Sequence, residues 1–167
     1  MGFISGSGTG CAAPIAASAI SRAITPARRL ALGALALTTL GGAAPVADLS
    51  LDIGGLRSAK GLVRVCLTAV ADNFPKCIDN AESTRRSAPA DSGAIRFAGL
   101  PHGDYAIAVI HDENGNGKLD TIAGIPREGF GFSRNPPIRF GPPRFASARF
   151  SVTGTGERQQ VTMRYLL

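Results

Sequence analysis

Tyr105-Ala106-Ile107-Ala108-Val109-Ile110 is the stretch that most limits what this chain can fold into. Successive side chains of an extended strand point to opposite faces. Tyr105, Ile107 and Val109 therefore share one face, and Ala106, Ala108 and Ile110 share the other. Both faces are apolar. Such a strand has to be covered on both sides, which places it inside a sheet rather than at its edge. His111-Asp112-Glu113-Asn114-Gly115-Asn116-Gly117-Lys118-Leu119-Asp120 follows directly, so an oxygen-rich loop starts where the central strand ends.

Other stretches supply further strands. Asp48–Ile53 alternates, with Leu49, Leu51 and Ile53 on one side. From Gly61 to Val70, Val63, Val65, Leu67 and Ala69 oppose Arg64, Cys66 and Thr68. Period two with β-branched residues predicts strands in both. Ala94–Ala98 is a third, closed by Gly99-Leu100-Pro101-His102-Gly103, and Tyr105–Ile110 the fourth. Arg144–Val152 alternates again, and Gln159–Leu166 puts Val161, Met163 and Tyr165 on one face. Ala71–Ser92 is polar and irregular, with a short helical turn expected around Cys77–Ser83. Short strands, glycine-rich turns and almost no helical period predict an all-β fold: a single antiparallel β-sandwich of six to seven strands. One long loop follows the central strand. It runs from Asp112 to Pro143, 32 residues without a clear period, and loops of that length are usually functional or disordered. Its Ile122, Ile125, Phe130, Phe132, Ile138 and Phe140 make it too apolar for disorder.

Residues 1–47 read as an extension and secretory signal, and 48–167 as the folded domain. Arg28 and Arg29 precede an apolar run, Leu30–Leu37, and small residues follow from Gly41 to Ala47. That is the order of a cleavable export signal, with cleavage expected between Ala43 and Asp48. The apolar run is shorter than the about 20 residues needed to span a bilayer. The expected location is therefore periplasmic or secreted, with no membrane span after cleavage. All 12 acidic residues lie from Asp48 onward, against 15 basic residues there, a net of +3. Apart from Arg85-Arg86 the cations are scattered singly, which argues against a nucleic-acid partner. Cys66 and Cys77 remain after the leader, and in an oxidising compartment such a pair reads as a disulfide.

The loop places oxygen-bearing side chains at alternate positions: Asp112, Asn114, Asn116 and then Asp120, with Gly115 and Gly117 between them. Hard cations want several oxygens from a tightly curled loop, so the pattern points to calcium. Lys118 would contribute its carbonyl. Counted from Asp112, the twelfth position is Ala123 instead of the usual bidentate Glu, so the missing ligand would come from Glu128, Glu113, a carbonyl or water. With two sure carboxylates the expected dissociation constant is about 10⁻⁴–10⁻³ M, as in extracellular modules. The alternative is a metal-free polar turn, since Asn-Gly pairs and Asx side chains make tight turns unaided.

Catalytic patterns are thin. There is no nucleophile elbow, no Cys beside a His, and no phosphate loop opening a helix. The chain is expected to be no enzyme. A hydrolase using the loop carboxylates would need a pocket uniting Asp112 or Glu128 with His102 or His111. Phe130, Phe132 and Phe140, with Arg127, Arg134 and Arg139 nearby, read first as a satellite core under the long loop.

Three motifs carry a family resemblance: His111–Asp120, then Gly124-Ile125-Pro126-Arg127-Glu128-Gly129-Phe130-Gly131-Phe132-Ser133, then Phe140-Gly141-Pro142-Pro143. Together they resemble a bacterial exported family catalogued as domain of unknown function two-one-four-one, over about Leu49 to Leu166. No settled activity comes with that family. A looser likeness lies in Phe97-Ala98-Gly99-Leu100-Pro101-His102-Gly103-Asp104-Tyr105, which resembles a strand connection of transthyretin-like and collagen-adhesin B-type sandwiches. Some adhesin repeats carry a similar calcium loop, so the resemblance implies calcium at Asp112, Asn114, Asn116 and Asp120. Transthyretin-like folds include a urate-pathway hydrolase, but its C-terminal Tyr-Arg-Gly-Ser is absent here. The expected role is a monomeric, calcium-stabilised binding or structural module whose partner is a protein or glycan of the cell envelope.

Overall fold

The computed structural model describes residues 44–77 and 83–167. The expected leader falls almost wholly on residues 1–43, outside the described residues, as does most of the helical turn expected over Cys77–Ser83. Among the described residues, no helix is long and apolar enough to cross a membrane. The strands are β1 (Val46–Gly54), β2 (Leu62–Thr68), β3 (Ser83–Pro89), β4 (Ile95–Pro101), β5 (Gly103–Asp112), β6 (Thr121–Ile122), β7 (Ile125–Pro126), β8 (Gly129–Phe132), β9 (Phe150–Val152) and β10 (Gly156–Thr162). Phe145–Ala148 forms one helical turn, α1, and Ala71–Asn73 a 3-10 turn. β1 starts at Val46, two residues ahead of Asp48, and Ala47 is already buried.

Two sheets stack. One has the order β10-β1-β4; the other is β3-β2-β5-β8, with β9 also paired to β5. The fold is all-β, as expected, with one departure from an antiparallel sandwich. β1 and β10 run parallel, with Asp48 opposite Gly156 and Gly54 opposite Thr162. The two strands lie at opposite ends of the domain sequence, so no hairpin between them dictates their direction.

The inner faces pack as alternation requires. Leu49 and Leu51 of β1, Val63, Val65 and Leu67 of β2, Phe97 of β4, Ile107 and Val109 of β5 and Val161 of β10 form one buried cluster. The outer face of β5 is covered too. Ala106 and Ala108 join Cys66, Cys77, Phe130, Phe132 and Ala148 in a second cluster, with Phe74, Leu119, Ile138 and Phe145 packed against it. β5 is thus central and buried on both sides. Its second cover comes from irregular chain: the 71–77 segment and the excursion after Asp112.

The last strand, expected over Gln159–Leu166, runs over Gly156–Thr162 instead, and three further elements differ from the sequence expectation. β3 lies in the polar stretch read as irregular, and its sequence, Ser-Thr-Arg-Arg-Ser-Ala-Pro, carries no alternation. It is an edge strand held by its backbone ladder to β2, from Leu62↔Pro89 to Thr68↔Ser83. Arginines and a terminal proline suit such an edge. The expected strand over Arg144–Val152 begins as α1, because Phe-Ala-Ser-Ala favours a helical turn as readily as a strand. Ala148, Phe150 and Val152 are buried, whereas Ala146, which strand alternation would put on the same face, is exposed because it lies in the helical turn. The long loop contains three short strands of its own. β6 and β7 form a hairpin in which Ile122 pairs with Ile125, and both turn residues, Ala123 and Gly124, have positive φ. That is the geometry of a tight primed turn.

Candidate functional site

The loop after β5 is built around the Asp112 carboxylate, which is fully buried. Its Oδ1 accepts the Asn116 N–H at 3.0 Å, and its Oδ2 accepts the Gly117 N–H at 2.8 Å. Gly117 has φ +81°, a conformation that side-chained residues rarely adopt. Arg64 of β2 donates Nε to Asp112 Oδ2 at 2.5 Å. Burial alone would raise the Asp112 pKa. Arg64 and the Gly117 N–H more than offset it, and the carboxyl sits below its usual range.

The exposed half of the loop converges on Asp120. Asn114 Nδ2 donates to Asp120 Oδ2 at 2.7 Å, and Asn116 Nδ2 donates to Asp120 Oδ1 at 2.8 Å. The Asn oxygens cap local backbone: Asn114 Oδ1 accepts the Asn116 N–H at 3.0 Å, and Asn116 Oδ1 accepts the Lys118 N–H at 2.8 Å. Lys118 itself is exposed. Glu128 is buried under the loop. Its two oxygens accept the N–H groups of Glu113 and Asp120, each at 3.1 Å. It therefore clamps the two ends of the loop together, and Arg127 N–H donates to the Asp120 carbonyl beside it at 2.8 Å.

A second latch holds Glu113. Arg57 donates to its carboxylate through Nε and Nη2, and Ser58 Oγ donates at 2.9 Å. The Arg57 guanidinium is the main reason the Glu113 carboxyl is held down at about 2. Arg57 also stacks over the Tyr165 ring, 4.5 Å from its centre. Tyr165 Oη lies 2.7 Å from His111 Nδ1, while His111 Nε2 lies 2.8 Å from the Lys60 carbonyl. A carbonyl can only accept, so Nε2 carries a proton, and in the neutral imidazole Nδ1 then accepts from the tyrosine. Gly61 lets this layer close. It has φ +73°, and a Cβ there would collide with the Asp112 carbonyl.

Asp112, Asn114, Asn116, Asp120 and Glu128 are thus gathered into one loop, and Arg57, Ser58, Arg64 and Tyr165 were not foreseen. Their signal was faint: Arg64 is a lone cation on the strand face that also carries Cys66, and only the register of β2 against β5 brings it to the loop. Among the described residues, no group of three or more His, Cys, Asp or Glu is placed to hold a metal ion. A cation here would have to use the Asn oxygens and backbone carbonyls as well as Asp120. His102 lies elsewhere, with Nε2 3.0 Å from the Gly154 carbonyl. Phe130 and Phe132 are buried in the outer cluster, whereas Phe140 is fully exposed. Cys66 and Cys77 form a disulfide, with Cα atoms 5.5 Å apart.

A family model described as "Uncharacterized protein conserved in bacteria (DUF2141)" matches residues 51–160, and the chain belongs to that family. No curated protein and no solved structure matches it.

Proposed function

For this member of an uncharacterised bacterial family, we propose an exported, non-enzymatic β-sandwich module of the cell envelope whose 112–120 loop takes calcium at low affinity. One observation carries the reading: Asn114, Asn116 and Asp120 turn toward one another over a glycine-hinged curl, with the Asp112 carboxylate beneath. To ligate a cation, the two amides must rotate so that oxygen rather than nitrogen faces Asp120. That gives up up to four hydrogen bonds, each worth about 1 kcal/mol net. The ion has to offset this loss, which keeps affinity near the millimolar range. A bound ion would stiffen the excursion and shape a surface for an envelope protein or glycan.

A second reading, a metal-free structural module, is favoured by the Arg64–Asp112 pair, because the guanidinium already neutralises the deepest carboxylate. Calorimetry and thermal melts in calcium against chelator separate the two. With a dissociation constant near 1 mM, 10 mM calcium stabilises by about 1.4 kcal/mol, or about 5 °C in Tm for a domain of this size. Asp120→Ala removes the shift. No heat and no Tm change at millimolar calcium leaves the metal-free module.

A further inference from the structure

The loop after β5 holds two Asn-Gly pairs in succession, Asn114-Gly115 and Asn116-Gly117, and all four residues are exposed. Such a pair is open to attack by backbone nitrogen on the asparagine side chain, because the glycine has no Cβ to crowd the nitrogen. The side chains of the two pairs are held alike. Each Asn Nδ2 donates to Asp120, and each Asn Oδ1 accepts the N–H two residues further on. The pairs differ in the attacking nitrogen. The Gly117 N–H is donated to the buried Asp112 carboxylate at 2.8 Å, a charge-assisted bond. The Gly115 N–H has no acceptor among the described residues, and a Cβ at Gly115 would meet nothing within 4 Å. One nitrogen is pinned and the other is free in open space.

We propose that Asn114 is a site of spontaneous deamidation, and that the fold protects Asn116 by holding the Gly117 nitrogen on Asp112. The Gly115 nitrogen forms a bond to Asn114 Cγ, and the Cγ–Nδ2 bond breaks. The Gly115 proton leaves with Nδ2 as ammonia. Water then opens the five-membered imide at either carbonyl, giving aspartate or isoaspartate. The bonds that the two pairs share cancel in this comparison, so the Gly117–Asp112 bond decides it. In the aspartate product an oxygen stands where Nδ2 now donates to Asp120 Oδ2 at 2.7 Å. Two carboxylates then face each other and repel, which loosens the curl when no cation is present. Under the calcium reading above, on which this one consequence rests, the added carboxylate tightens binding, since ligand charge sets affinity in such loops.

The test incubates the oxidised protein in chelator at mildly alkaline pH, folded and in guanidinium, and reads conversion at each asparagine by fragment-ion mass spectrometry. In guanidinium both pairs should convert at similar rates. In the folded protein Asn114 should convert at least fivefold faster than Asn116. Equal rates in the folded protein, or a faster Asn116, overturn the proposal. So does an unreacted Asn114 over the time in which the unfolded chain converts, or the same preference in guanidinium as in the fold. Asn114→Asp stands for the product. In chelator its excursion should be cleaved by protease at least threefold faster than that of the unchanged protein, and it should bind calcium at least threefold more tightly. Unchanged affinity in a protein that does take calcium overturns the coupling. Silence of both forms toward calcium defeats the calcium reading and the coupling together, while the mass spectra still decide the deamidation site.

Discussion

The two faces of the β3-β2-β5-β8 sheet are covered in different ways. The inner face meets a second sheet, and its cluster is assembled from alternate residues of regular strands. The outer face meets short irregular segments held by specific links. The Cys66–Cys77 disulfide ties the 71–77 segment to β2. Ser133 joins β5 to α1, accepting the Ile107 N–H at 2.9 Å and donating to the Ala148 carbonyl at 2.5 Å. Asn135 imitates a strand. Its side chain accepts the Thr162 N–H and donates to the Gln160 carbonyl, covering part of the β10 edge. A sheet can be covered by burial alone when the cover is itself periodic. Irregular cover has to satisfy its backbone one group at a time.

Paired truncations give the sharpest contrast. Phe97→Ala in the inner cluster should cost about 4 kcal/mol and move the whole urea transition. Phe132→Ala in the outer cluster, where the ring meets Phe74 edge-on at 5.8 Å, should cost about 3 kcal/mol. It should also raise protease cleavage within the 113–128 excursion before the sheets unfold. Equal protease patterns in the two variants would erase the distinction between the faces.

Removing the disulfide probes the outer cover alone. The bridge closes a short loop, with a sequence separation of 11. Cys66→Ser with Cys77→Ser should therefore lower stability by about 2–3 kcal/mol. Amide exchange should quicken over 71–77 and β3 while β1 and β4 keep their protection. Loss of protection in β1 would mean that the two faces unfold as one unit.

The smallest effect expected is that of the Glu113 latch. Its carboxyl is lowered from 4.5 to about 2 in the folded state, so its contribution is complete above about pH 4.5 and is lost as pH falls toward 2. Both side chains of the Arg57–Glu113 pair are partly exposed, so solvent screening limits the gain to about 1 kcal/mol or less. Glu113→Gln should flatten the stability profile across that window. Asp112, also lowered, keeps a residual acid sensitivity in the variant. An unchanged profile would assign the acid response to other carboxylates.

Much of the candidate loop was legible because its pattern is local. Asx caps, glycines at the curl and alternate oxygens act within a few residues of chain. Arg64, by contrast, reaches Asp112 across 48 positions, and Arg57 reaches Glu113 across 56. Glu128 was read as a spare ligand for the loop. In the fold both its oxygens accept backbone donors from the loop's two ends.

Sequence alone determined the inner architecture: period-two alternation marks β1, β2, β4 and β5, and the doubly apolar β5 had to be central. Tertiary structure decided the rest. It placed β3, whose polar residues carry no alternation and which exists only through its ladder to β2. It set β10 parallel to β1. It also brought Arg64 of β2 to Asp112 and Arg57 to Glu113. The physical reason is range. Alternation is read within one strand, whereas edge pairing, strand direction and charge clustering depend on which segments become neighbours once the core has closed.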